Sequence, residues 1–318
     1  MAGLRFTRRW GVVLVAGAVI ATSACGVRWE TEPSPAPSPD AVTIQRDLLA
    51  DAEAAVITAS DAASGLLADH ARNAAQAHLD VLGGVYVAFP DASPTPTPTA
   101  SPAPVPSLAD AIDAAREVAA EVANTSTDGD LAFVAASIDI EWALVAWWDA
   151  PADDVDGPLP LPAAPGVPST DDFIPPGVTT VSDEELTALA LAHDEARFAY
   201  ETMAAQEFGP RREAALARAA IHAARGEALA ARVDEDPRTP LYQLRDTDLL
   251  DAETRASLAR SIETDLGWRY AALLDGRSAS DLPWLLNGSF DAFAAAASTD
   301  GFTLADLPAM PGVAPLGS

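Results

Sequence analysis

Lysine is absent from this chain of 318 residues: all 19 basic residues are arginine, set against 47 Asp and Glu for a formal net charge of −28. Cysteine occurs once and histidine four times. One cysteine excludes an internal disulfide framework. The charge excludes the basic surface that nucleic acid or an anionic membrane would need. No Gly-x-Ser-x-Gly and no Gly-rich phosphate loop is present, which removes a serine-hydrolase elbow and a nucleotide cradle. β-branched alternation is scarce, which argues against strands and for helices.

The single cysteine, Cys25, follows a basic and then apolar leader. Arg5, Arg8 and Arg9 form a positive n-region, and residues 10–21 (WGVVLVAGAVIA) are uncharged and apolar. That run is shorter than the roughly 20 apolar residues of a spanning helix. The small residues of Ala21-Thr22-Ser23-Ala24 then lead into Cys25, as in a bacterial lipoprotein signal, where the cysteine is lipidated and becomes the mature N-terminus. Thr22 stands where an aliphatic residue is usual. An ordinary secretory signal and, on Thr7-Arg8-Arg9, a twin-arginine signal stay open as alternatives. Without Arg5, Arg8 and Arg9, 16 basic residues face 47 acidic ones, a net charge of −31. The membrane contact is therefore expected to be made by lipid alone, on the extracytoplasmic face of the cell membrane.

Composition divides the chain into a signal peptide (1–24), a Pro/Ser-rich tether (25–40), an acidic helical region (41–150) and a linker (151–181). A helical bundle (182–300) and a C-terminal tail (301–318) follow. A Pro/Thr loop over 90–106 interrupts the acidic region and reads as disordered. In the first half, apolar residues fall at helical spacing at Ile44, Leu48, Ala52, Ala55 and Ala59, then at Leu67, Ala74, Ala77 and Val81. Two further helices carry Leu108, Ile112, Ala115 and Val118, and Leu131, Val134, Ile138, Trp142 and Val145. Trp142 is expected in the core, with Trp147 and Trp148 partly exposed at the helix end.

The second half repeats this plan. Ser182 and Glu185 have capping-box spacing. Gly209-Pro210 closes one helix and opens the next. Asp251 can cap a third helix, and Pro283 is tolerated in the first turn of a fourth. The first of these helices is about 39 Å long at 1.5 Å per residue. Residues 236–250 reach about 50 Å when extended. They are long enough to run the length of a bundle and set the third helix parallel to the second, the one-crossover topology of ferritin-like folds. Length alone does not exclude a compact loop with simple up-down order.

Residues 183–314 resemble the ferritin-like domain of unknown function found in actinobacterial lipoproteins. The residues carrying the resemblance are LALAHDEARFAYETMAA, IHAARGEALAARV, Pro240-Leu241-Tyr242-x-Leu244, SLARSIETDLGWRYAALL and the closing Leu307-Pro308-x-x-Pro311-Gly312. The Arg-only, Ala-rich composition suits a GC-rich genome of that kind. The resemblance implies an all-α, ferritin-like four-helix bundle outside the membrane, preceded here by a second four-helix segment. It implies no activity.

A di-iron bundle needs carboxylates from four helices and Glu-x-x-His on two of them. Ala190 and Ala219 stand three residues before His193 and His222, so that motif is absent. Helical periodicity nevertheless turns His193, His222 and Glu263 inward, where they could converge. Two readings stand: a degenerate metal site, or a buried polar cluster in a bundle without metal, the favoured one. His70 and His78 point roughly 80° apart on one helix, poor metal geometry that suits semi-buried structural roles. The sequence thus points to a non-enzymatic interaction or binding module with no cofactor. Its partners would be the membrane, through Cys25, and an envelope protein the sequence does not name. A metal-binding or oxidoreductase bundle is the alternative, and the oligomeric state is open.

Overall fold

The computed structural model describes residues 39–85, 104–149, 173–236, 238–239, 241–245 and 249–313. Among these residues all regular structure is helical. Cys25, most of the tether and most of the Pro/Thr loop lie outside them.

Five of the eight described helices begin at a side chain that accepts from their free N–H groups. Asp40 caps α1 (Ala41–Ala62) by accepting from the Thr43 N–H, and α1 turns into α2 (Leu66–Leu82). Gly83 ends α2 at φ +83°, a conformation that favours glycine. Ser107 caps α3 (Leu108–Thr125), and Asp128 accepts from Leu131 N–H at the start of α4 (Gly129–Asp149). In the second half, Ser182 and Glu185 form the expected capping box on α5 (Asp183–Gln206). Pro210 lies in the first turn of α6 (Gly209–Ala230), and Asp251 with Thr254 caps α7 (Ala252–Ala272). The last helix, α8 (Leu282–Ala297), carries Pro283 in its first turn.

Side-chain contacts fix the helix directions. Arg46, near the start of α1, donates to the carbonyl of Leu82 at the end of α2, so these two run antiparallel. Gln45 donates to Thr125 at 3.0 Å, which puts the end of α3 beside the start of α1. Helices α2 and α3 are therefore parallel. In the second half Arg255, at the start of α7, pairs with Glu207, just past the end of α5, at 2.7 Å. Helices α6 and α7 are therefore parallel too, and the α6–α7 connection crosses the length of the unit, as its length allows. Both halves run up, down, down, up.

One hydrophobic cluster runs through both halves, from Leu49 and Trp142 to Phe293 and Leu285. Helix α4 packs on α8, and the tail closes the junction: Ser137 donates to the Pro311 carbonyl, and Met310 N–H donates to Glu141 at 2.7 Å. Helix α4 is long and apolar enough to cross a membrane, but it carries Glu141 into this core and serves as a core helix. The end of the expected linker is also built in, with Phe173 and Val181 buried.

The inward face of α1 differs from the sequence expectation. Ile44 and Leu48 are about half exposed, while Leu49, Glu53, Val56 and Ser60 are buried. On α2 the buried residues are Ala68, Ala71, Ala74, Ala75, His78, Leu79 and Leu82, so the expected Ala74 faces inward while Leu67, Ala77 and Val81 are only partly buried. The stripe is rotated because its central position on each helix is a charged or polar side chain that an apolar pattern passes over.

Candidate functional site: two buried ionic centres

Each half encloses a cluster of ionisable side chains. In the first half, α1 supplies Glu53, α2 His78 and α4 Glu141 and Trp142, all essentially without solvent contact. His78 Nδ1 lies 2.8 Å from Glu53 and Nε2 2.9 Å from Glu141, so the ring bridges two carboxylates. The Trp142 indole donates to the other Glu53 oxygen at 2.9 Å and meets the His78 ring edge-on. Met310 adopts the left-handed region at φ +45°, unusual for a side chain of its size, and its N–H is the donor on Glu141. Burial opposes a charge on His78, but hydrogen bonds to Glu141 and Glu53 outweigh it and lift the pKa to about 10. An imidazolium held between two carboxylates is therefore the resting state. This corrects the expectation of a semi-buried His78. His70 is half-buried, with its basicity lowered by burial.

In the second half, His193 on α5, His222 on α6 and Glu263 on α7 do converge, each fully buried. His193 Nδ1 and His222 Nδ1 are 3.0 Å apart, His222 Nε2 is 3.0 Å from Glu263, and Tyr270 is 2.7 Å from His193 Nε2. The order of donors follows from the chemistry of each group. Glu263 accepts, so His222 carries its proton on Nε2 and accepts at Nδ1. His193 then donates from Nδ1 and accepts the Tyr270 hydroxyl proton at Nε2. The chain Tyr270–His193–His222–Glu263 is complete with both imidazoles neutral. Burial is the main cause lowering both histidine pKa values, in agreement; His222 and then the two guanidinium charges add to it at His193, and at His222 it prevails over the opposing Glu263 charge.

Two arginines that the sequence reading left out complete this centre. Arg218 reaches both Glu263 oxygens, at 2.6 Å each, and Asp291 on α8 at 2.7 Å. Arg225 also reaches Asp291 at 2.7 Å, with its guanidinium 3.7 Å from the centre of the Phe173 ring. Tyr200 donates to Glu263 at 2.8 Å and stacks on His222. Burial raises the Glu263 pKa, but Arg218 and His222 more than reverse this and hold its carboxyl below the ordinary range. Every oxygen of Glu263 is thus engaged, and the Arg218 guanidinium bridges two carboxylates as a divalent ion would. Among the described residues no group of three His, Cys, Asp or Glu is arranged to hold a metal ion.

The arginines were detectable in principle. Arg218, His222, Arg225 and Leu229 recur at i, i+4, i+7 and i+11, one face of a helix. Glu53 sits likewise with Leu49, Val56 and Ser60. No protein-family model, curated protein or solved structure matches this chain. The site must be read from its own geometry.

Proposed function

We propose that this chain is a lipid-anchored extracytoplasmic protein whose ferritin-like helical units bind a partner rather than catalyse a reaction. The anchor rests on Cys25 and its leader. The ferritin-like reading rests on the residues of 183–314 and on the up-down-down-up order with one long crossover, the connectivity of that fold. The non-catalytic reading rests on one observation: Arg218 and its neighbours already occupy both Glu263 oxygens and Asp291 Oδ2, which a metal would need. Burying such a cluster costs desolvation that its ion pairs and hydrogen bonds must offset, and those converging on Glu263 are a structural use of charge.

The competing reading is a metal-binding or oxidoreductase bundle. The convergence of His193, His222 and Glu263 favours it, but it requires Arg218 to leave. Elemental analysis of the purified chain separates the two. The expected result is no stoichiometric iron, manganese or zinc; one equivalent of metal, lost in His193→Ala, would overturn the binding reading. Cys25→Ser is expected to release the protein from membranes, and unchanged retention would sink the anchor. Cross-linking in cells is expected to recover an envelope protein.

A further inference from the structure

At one end of the second half, four helices leave a gap. Tyr200 and Met203 of α5 are buried there, but the facing residues are small: Ala214 and Ala215 on α6, Ala256 and Ala259 on α7, and Ala295 on α8. Alanine at these positions leaves a pocket of about 170 Å³ that opens to solvent. An engineered apolar cavity of about 150 Å³ holds benzene, so this space suits one ring or a chain of similar volume.

The mouth is charged. Arg255 is held by Glu207 at 2.7 Å in a largely covered pair. Arg211 meets Asp300 through one contact of 3.2 Å, with both side chains more than half exposed. An exposed pair of this kind contributes little to stability. Asp300 therefore acts as a displaceable carboxylate on Arg211, at the rim of an apolar pocket. The floor is closed off from the ionic centre, because the Tyr200 hydroxyl is committed to Glu263.

We propose that this pocket is a binding site for a small monocarboxylate whose apolar body has the volume of one aromatic ring, its carboxylate replacing Asp300 on Arg211. The inference rests on the reading of the chain as a binding protein and gives that reading a ligand class. Pockets with apolar walls and one or two placed polar groups are the usual form of small-ligand sites.

The test uses the full-length chain in phospholipid nanodiscs, with benzoate and toluene as probes and empty discs as the blank. Ligand-observed NMR titration is expected to show saturable benzoate binding. Ala256→Leu, which fills a partly exposed wall, is expected to weaken both probes at least about tenfold. Arg211→Gln is expected to weaken benzoate about tenfold, the scale of one charge-assisted hydrogen bond, and to leave toluene unchanged. Circular dichroism and thermal midpoint check that both variants fold. No saturable benzoate binding, or equal binding by wild type and Ala256→Leu, would overturn the site, while recovery of a cross-linked envelope partner would leave the wider binding reading standing. Consumption of benzoate over time, visible in the same spectra, would instead overturn the non-catalytic reading.

Discussion

The protonated His78 makes a prediction with a definite sign. Its pKa is about 10 in the folded chain against 6.5 for an ordinary histidine. Between those values the folded state holds a proton that the unfolded state has lost. Its contribution is therefore complete below pH 6.5 and disappears as pH rises through 10. Each pKa unit corresponds to about 1.4 kcal/mol, so the total is on the order of 4–5 kcal/mol, a large part of the roughly 5–15 kcal/mol that stabilises a typical domain. Urea unfolding followed by circular dichroism from pH 6.5 to 9.5 reads this directly. Wild type should lose about 1.4 kcal/mol per pH unit relative to His78→Gln, which cannot titrate. At pH 7 the variant should be less stable by about 3–5 kcal/mol, the cost of leaving buried carboxylates without their cation. The gap should close toward pH 10. The composition helps: lysine is absent, there is one cysteine, and His70, His193 and His222 are all shifted to lower pKa. Parallel pH profiles for wild type and His78→Gln would refute the imidazolium assignment.

Other substitutions test the remaining contacts. Arg218→Met leaves Glu263 without its cation and Asp291 with Arg225 alone, and should cost about 3–5 kcal/mol by urea unfolding at pH 7; a loss below about 1 kcal/mol would mean the centre is wetter than its burial indicates. Gly312 sits at φ +91° with Ala271 O only 2.7 Å from a built Cβ, so Gly312→Ala should loosen the tail and speed its removal by protease. Gly288→Ala would drive a methyl to within 2.5 Å of the Tyr270 ring and should lower the thermal midpoint. Asp281 accepts from Thr179, Thr180, Ser278 and Trp284, and these bonds hold its pKa low despite burial. Its contribution is present above about pH 4 and is lost as pH falls through the lowered folded value, so Asp281→Asn should destabilise at pH 7 and converge with wild type in acid.

Helix positions and caps were legible because they depend on local chemistry. Ser182 and Glu185, Asp251 and Gly209-Pro210 act within one turn, and the expected helices lie between them. The inward stripe of α5 was legible as well, because His193 falls in step with Leu186, Leu189, Tyr200 and Met203. The first-half centre was not. Glu53 and Glu141 occupy core positions on α1 and α4, and a rule that treats charge as surface passes over both; on α1 it also rotates the predicted face, whereas the expected α4 stripe of Leu131, Ile138, Trp142 and Val145 is buried. The tail contact through Met310 depends on a separation of 169 residues and leaves no local pattern at all.

The two centres follow one plan with different cations. His78 lies thirteenth in its helix and His222 fourteenth, each in the second helix of its half. In the first half the histidine is itself the cation between two carboxylates. In the second, Arg218 and Arg225 supply the charge, which lets His193 and His222 stay neutral and pass one directed set of hydrogen bonds from Tyr270 to Glu263. The difference sets opposite responses to pH. The first centre weakens as pH rises, when His78 loses its proton. The second weakens as pH falls, because the lowered Glu263 and Asp291 pKa values give stability that is present above their unfolded values and lost on protonation in acid. Stability should therefore peak between these limits, with the first half failing first in base and the second in acid. Separate reporters, such as Trp142 in one half and Trp284 in the other, would distinguish this from a single two-state transition at both extremes.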